Sequence, residues 1–488
     1  MTPSPVTATT AVVLGGSLAG MLAAAALVDH MDHVVIVERD ILPAEPAPRR
    51  GLPQGRHGHM LWSGGAQAIE ALLPGITNRW AAAGAHTIPV PQNMVGLSPR
   101  GWYRRWTKWP PSHFVIGCSR DRLDFDVRQA LTAVPRHQGK LLILDGAEPL
   151  ALTGSAQRVT GVKIRTAGGT HQTIDADLVI DTTGRATRTP QWLAALGVAE
   201  IETSEVDSGL TYASRDYQVP PGAERNFPII NVQADPAAGG PGQAGTIFPM
   251  EGGRWRVSLS GTRDGRPTND NATFEDFARG LRHPLIADFL ADAVPVTDVH
   301  ITHSTSNFRH HFEKAKLPAG FLALGDALAA FNPVYGHGMT AAALGALTLG
   351  NTLAKTGSPV DRRATQRAQR AISRVADAAW LLATGSDIWY PGSRSKAPHL
   401  VDRMTNAYIR RLILTACGSL TVTTALTDVM SMEKTAARLA HPTVLWAALL
   451  GPQMRALEGP ILTDRERGLL PEREGSPSQP PSRTTPRM

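Results

Sequence analysis

The sequence predicts an α/β fold, in which a Rossmann-like dinucleotide-binding domain is interleaved with a β-sheet domain and followed by a C-terminal layer of helices. Three observations predict it. An apolar strand–turn–helix pattern lies near the start (AVVLGGSLAGMLAAAALV, residues 11 to 28). A second strand–loop–helix pattern lies far downstream (FLALGDALAAFNPVYGHGMTAAALGAL, residues 321 to 347). Between them are short runs rich in Val, Ile, Thr and aromatics, which read as strands; after them come Ala-rich amphipathic runs such as RRATQRAQRAISRVADAAWLLA, which read as helices.

In the first stretch, Gly15, Ser17 and Gly20 occupy the positions of a G-x-G-x-x-G fingerprint, with Gly16 beside them and Ser at the second glycine. A tight turn there lets backbone N–H groups at a helix N-terminus face a pyrophosphate, and Gly20 allows helix and strand to pack closely. The next strand is VVIVERD, residues 34 to 40, which Glu38 ends just before Arg39. A carboxylate at that spacing accepts ribose hydroxyls. A decoy, GPGQAG at residues 240 to 245, follows no strand and leads into no helix, so it reads as a surface loop. One nucleotide-binding βαβ start argues against disulfide reductases and dehydrogenases that need two.

The second stretch carries one charge, Asp326, directly after Gly325, followed by Asn332, Pro333, Gly336 and Gly338. An Asp at such a boundary reads either as a helix cap or as a ligand carboxylate paired with the first fingerprint.

Composition narrows the class. The 488 residues suffice for two or three domains, and 42% apolar with 19% charged residues is ordinary for a soluble globular protein. Cys118 and Cys417 cannot make a disulfide framework. The net charge of +7 comes from 8 Lys and 41 Arg spread along the chain, whereas a nucleic-acid footprint clusters on one element. RGWYRRWTKWP (residues 100 to 110) interleaves four cations with four aromatics, and is read as a strand edge or pocket rim with cation–π pairs. It also suits a carboxylate or a carrier's phosphopantetheine. His57, His59, His310 and His311 lack acidic or Cys companions at ligand spacing, so no metal is expected. Residues 1 to 10 contain no Lys or Arg, and glycines interrupt the apolar run after them, so neither a secretory signal nor a membrane span is expected. The expected location is cytoplasmic.

The strand ending in Gly325-Asp326, then Pro333, then glycines before a helix, resembles the second FAD fingerprint of single-component flavoprotein monooxygenases of the para-hydroxybenzoate hydroxylase type. The resemblance implies FAD as cofactor, with Asp326 on a ribityl hydroxyl and amides around Gly338, Met339 and Thr340 facing the flavin pyrimidine, where negative charge collects on reduction. The family's middle motif, Asp-Gly-x-x-Ser-x-x-Arg, corresponds to Thr183, Gly184, Thr187 and Pro190 in DLVIDTTGRATRTP. That motif serves both flavin and NADPH, so its erosion implies slow reduction by NADPH or a partner flavin reductase.

A narrower resemblance is carried by RRGLPQGRHGHMLWSGGAQAIEALLPG (residues 49 to 75), FPMEGGRWRVSLSGTR (248 to 263), FNPVYGHGMTAAA (331 to 343) and LTDVMS (426 to 431). These are similar to the flavin-dependent epoxidases of bacterial polyether ionophore biosynthesis, from about residue 11 to about 450. The similarity implies Gln54, Arg56 and Arg120 as further FAD contacts, the arginines suiting its phosphates. It implies epoxidation of a linear polyene polyketide, free or carrier-bound, by an FAD C4a-hydroperoxide formed with O2. An alkene needs no proton removed, so no catalytic side chain is expected; the protein's tasks are orientation and exclusion of water. Tyr212, Phe248, Met250 and Trp255, on strand-like runs at 208 to 218 and 244 to 262, are expected to line the substrate cavity.

Rival readings are a hydroxylase of an aromatic or terpenoid, which calls for a base, and a non-catalytic flavoprotein. The chain lacks the Trp-x-Trp-x-Ile-Pro segment of flavin halogenases. The expected organisation is an FAD-binding domain at 8–200 with inserted strands, a β-sheet substrate domain at 201–305, the second part of the FAD-binding domain at 306–358, helices at 359–460 and a disordered tail at 461–488.

Overall fold

The computed structural model describes residues 8–107, 113–356 and 361–471. Strand Thr10–Leu14 is apolar from Ala11 onward because both its faces are covered, as in parallel sheets clad by helices. It is the middle of a five-stranded sheet in the order Phe321–Ala323, Leu178–Asp181, Thr10–Leu14, His33–Val37, Leu141–Leu144. Every pairing in this sheet is parallel. Helix Leu18–Leu27 is almost wholly buried. Its small residues let helix Gly338–Thr356 approach closely: a Cβ on Gly350 would stand 3.4 Å from Ala26 Cβ. Both fingerprints therefore sit at the carboxyl ends of parallel strands of one sheet, separated only by Leu178–Asp181, where α/β folds bind ligands.

The second domain is an eight-stranded sheet. Leu210–Gln218 and Arg254–Thr262 form its centre, flanked by Ala244–Met250, Ile229–Val232 and shorter strands. Alternation divides it. One face carries Ala213, Tyr217, Trp255, Val257 and Leu259 into a core with Phe227, Phe274 and Phe289. The other carries Tyr212, Ser214, Asp216, Arg256, Ser258 and Ser260 in register. Strands Met94–Ser98 and Gly101–Trp102 complete this sheet, so the substrate domain also draws on chain expected within 8–200.

Helices Arg362–Asp387, Leu400–Ala416, Leu420–Met430 and Pro442–Leu450 form the C-terminal layer. The first buries Ala364, Ala368, Ile372, Ala376, Ala379 and Ala383, one stripe at helical spacing. The tail expectation is corrected in part. Residues 464–467 form a capped helical turn, Leu462 is buried in the sheet core, and Glu466 pairs with Arg105 at 2.5 Å. Residues 472–488 lie outside the described residues. The stretch at 100 to 110 is described to residue 107; its Arg104 and Arg105 bind the Arg455 carbonyl and Glu466, and neither makes a cation–π pair among the described residues. No helix among the described residues is long and apolar enough to cross a membrane.

Candidate active site

Glycine is required at the first turn for two reasons. Gly15 has φ +99°, and a Cβ there would meet the Thr182 carbonyl oxygen at 2.8 Å; a Cβ on Gly20 would fall 1.8 Å from the Gly15 carbonyl oxygen. Ser17 caps helix Leu18–Leu27 without a side-chain hydrogen bond, and no acidic residue occupies the first turn. The helix N-terminus is thus left electropositive. Glu38, 5% exposed, accepts the Gly16 N–H at 2.6 Å and the Asp40 N–H at 2.9 Å. Arg49 stands 3.3 Å from Glu38 and 2.9 Å from Asp124. Burial opposes its charge, but Asp124, Glu38 and Asp40 outweigh that and raise its pKa.

The distant fingerprint closes onto the first. Gly325 has φ +67°, and a Cβ there would stand 2.8 Å from Ala19 Cβ. Asp326 follows it beneath the start of helix Gly338–Thr356: a Cβ on Gly338 would lie 3.8 Å from Asp326 Oδ1. Its polar neighbour is Arg185 Nε at 4.0 Å, and it caps no helix. Burial raises its pKa, with Arg185 and Arg120 opposing. Arg120 opens helix Arg120–Ala133 and is buried, with Nε lacking a hydrogen-bond partner. Pro333 starts a short turn capped by Asn332, while Gly336 has φ +69° and a Cβ there would meet Met60 Cε at 2.9 Å. Met339 is buried in the first turn of the following helix.

The middle motif serves its own turn. Thr183 donates to Asp181 at 2.6 Å, Thr187 donates to the other Asp181 oxygen, and Pro190 sits in the first turn of helix Thr189–Ala195.

The loop Gln54–His59 is held to the polar face of the second sheet. Arg256 Nη1 donates to the Gly55 and His57 carbonyls at 2.7 and 3.0 Å while its other nitrogens pair with Asp216. His57 Nδ1 lies 3.0 Å from Ser214 Oγ, which lies 2.8 Å from Ser258 Oγ. The Tyr212 ring stands edge-on to His57 at 5.4 Å. Burial, with Arg256 beside it, lowers the His57 pKa to about 4; burial with Arg120 lowers that of His59 to about 3. Next to this row is an apolar wall of Trp62, Ile88, Val115, Ile229 and Phe248, with Met60 and Met430 against it. His337 closes its end, stacked on Trp62 and bonded through Nε2 to the Met430 carbonyl at 3.1 Å.

Of the expected substrate residues, Tyr212, Phe248 and Met250 share this face. Trp255 does not. Alternation places it on the opposite face, fully buried between Phe227 and Phe289, where it is sheet core. Arg39 and Gln54 are exposed, and neither side chain joins the cluster. Arg56 is also exposed but lies close enough to His57 to disfavour its protonation.

Sequence reasoning missed Arg49, Arg185, Asp387, Ser214, Arg256 and Ser258. Arg49 and Arg185 are two arginines among many. Asp387 ends an Ala-rich helix and receives bonds from Asn307, Asn332 and Tyr335, bracing the 332–336 loop. Ser214 is an ordinary strand residue. Arg49, Arg185, Arg256 and Ser258 had a signal, their places within the quoted segments. Among the described residues no cluster of His, Cys, Asp and Glu is arranged to hold a metal.

No family model matches the chain. Protein Rv3254 of Mycobacterium tuberculosis is 30% identical over 396 residues, 78% of this chain and 80% of that protein. Among solved structures, the flavin-dependent brominase Bmp2 is similar with a TM-score of 0.63 over 90% of this chain and 98% of its own, at 13% identity. PqsL from Pseudomonas aeruginosa, described as a probable FAD-dependent monooxygenase, is similar with a TM-score of 0.55 over 78% of this chain and 97% of its own, also at 13% identity. The likeness to these two is one of fold.

Proposed function

We propose that the chain, which belongs to the family of the mycobacterial protein Rv3254, is an FAD-dependent monooxygenase that epoxidises alkenes of a linear polyene. One observation carries this reading. The four segments that resemble polyether epoxidases, distant in sequence, meet around a single wall. Arg256 holds the Gly55 carbonyl, Met60 packs on Gly336, and His337 bonds to the Met430 carbonyl.

The residues present fit FAD. The glycines at 15, 20 and 325 allow the tight turns that bring the two fingerprints together, where a Cβ would strike Thr182, Gly15 or Ala19, and the buried Nε of Arg120 lacks a partner. Glu38 would take the adenosine ribose, the helix N-terminus after Ser17 with Arg120 the pyrophosphate, Asp326 the ribityl chain, and the amides at Gly338 and Met339 the pyrimidine. When bound, FAD supplies electrons and the means of activating O2. The chain's own tasks are to orient an alkene along Met60, Trp62, Phe248 and Met430 and to keep water out. The reductant is NADPH or a partner flavin reductase, and Thr183 and Thr187 are already engaged with Asp181.

A second reading, hydroxylation of an aromatic ring, is favoured by the His57–Ser214–Ser258 chain, which is able to relay a proton. Purified protein incubated with NADPH, a flavin reductase, O2 and either polyenes or phenols separates the two. The first reading expects a mass gain of one oxygen per alkene. Phenol hydroxylation without epoxide selects the second, and failure to retain or take up FAD removes both.

A further inference from the structure

A cavity of about 430 Å³ lies between helix Leu400–Ala416, the end of helix Arg362–Asp387 and the turn before Gly101. Its charged lining is entirely arginine: Arg100, Arg403, Arg410 and Arg411. Trp389 and Asn406 complete the principal walls. Arg403, Ala407, Arg410 and Leu414 recur at helical spacing, so they form one stripe of the helix along the cavity, with Arg403 and Ala407 exposed and Arg410 and Leu414 half-buried. Arg411 is fixed by bonds to the Ala448 and Leu449 carbonyls at 2.6 and 2.9 Å. Arg100, Arg403 and Arg410 have no ion pair among the described residues. Cations crowded around one cavity repel each other, and an anion between them relieves that repulsion.

We propose that this cavity binds an organic phosphate. The planar guanidinium forks match phosphate oxygens two at a time. The cavity falls within the size range of small-ligand sites and is too large for a bare phosphate alone. Trp389 offers a flat apolar wall to the attached organic part, and the Asn406 amide offers one donor and one acceptor edge. Two sources share this chemistry, the phosphorylated end of a nicotinamide nucleotide and the phosphopantetheine arm of a carrier protein.

The test uses the full-length protein in paired binding titrations by calorimetry: NADP+ against NAD+, phosphopantetheine against pantetheine, and inorganic phosphate. One phosphorylated member is expected to bind at least tenfold more tightly than its unphosphorylated twin and more tightly than inorganic phosphate, weakening as salt rises. The double variant Arg403→Ala/Arg410→Ala should lose at least tenfold in that affinity, and Arg403→Lys/Arg410→Lys should lose less. Thermal melts verify that both variants fold. Preference for NADP+ identifies a nucleotide, and preference for phosphopantetheine a carrier arm. Equal binding within both pairs, or unchanged affinity in the folded double variants, overturns the site. Flavin content is measured on the same samples, so either outcome leaves the proposed monooxygenase reading standing on its own evidence.

Discussion

Glu38 and Asp326 are both carboxylates at strand ends, yet their surroundings differ. Glu38 already accepts two backbone N–H groups and faces Arg49, so it holds the first turn together whatever else it binds. Asp326 caps nothing and meets Arg185 only at 4.0 Å. Glu38→Ala should therefore cost about 2–4 kcal/mol of apoprotein stability, through orphaned N–H groups and a weakened charge network. Asp326→Ala should change apoprotein stability by less than about 1 kcal/mol while lowering flavin occupancy. Urea unfolding of apoprotein and flavin absorbance of purified protein read the two effects separately. An equal stability loss in both variants would return Asp326 to a structural role. The same logic separates Trp255 from Phe248. Trp255→Ala empties a fully buried site and should cost about 3–5 kcal/mol. Phe248→Leu, on the wall beside Met60 and Trp62, should shift which alkene reacts with a rate change within about tenfold, or about 1.4 kcal/mol. Product distribution and unfolding midpoints distinguish them.

At the scale of elements, the loop from Gln54 to Met60 shows what a sequence can and cannot display. The first fingerprint was legible because its glycines answer local demands, a positive φ and a close contact between neighbouring residues. The second was legible because one carboxylate after Gly325 stands out in an apolar run. The loop's anchorage was not, since Ser214, Arg256 and Ser258 meet it across long separations and look like ordinary strand residues. Nor did the strand sequence reveal which face Trp255 would take. The anchorage has a pH signature. His57 and His337 each sit near 4 in the folded protein, lowered chiefly by burial, against 6.5 for the free imidazole. As pH falls below 6.5 the unfolded chain binds protons first, so stability is lost from there toward 4 and is unaffected above. The expected slope is up to about 1.4 kcal/mol per pH unit for each histidine. The groups facing His57 are Arg256, Arg56 and His300, all cationic or neutral, which keeps its folded-state pKa low. His57→Gln should flatten the fall in urea midpoint between pH 6.5 and 5 by about one proton; an unchanged slope would show that His57 protonates without penalty.

Across the whole molecule, the substrate sheet is clamped from two sides, by the nucleotide domain through the Gln54–Met60 loop and by the C-terminal segment through Arg105 and Glu466. Arg105 and Glu466 are both largely buried, so losing one partner strands the other, at a cost of about 3–5 kcal/mol. Ending the chain at residue 460 should destabilise the protein by at least that much, with Leu462 also lost from the sheet core. The clamped sheet then frames the mechanistic choice. An epoxidase asks its walls only for shape, whereas a phenol hydroxylase asks for a base. The structure supplies both an apolar wall and, one strand away, the His57–Ser214–Ser258 chain. His57 at about 4 is neutral at pH 7 and already bonded to Ser214, and Arg256 beside it opposes a second positive charge, so it is poorly placed to accept a proton in a rate-limiting step. Ser214→Ala and His57→Gln should therefore lower oxygen transfer by less than about tenfold while flavin stays bound and reducible. Product and H2O2 yields measured per NADPH consumed would show modest uncoupling. A loss of about a thousandfold or more in either variant, the scale of general acid–base catalysis, would make the serine–histidine chain catalytic and select the hydroxylase.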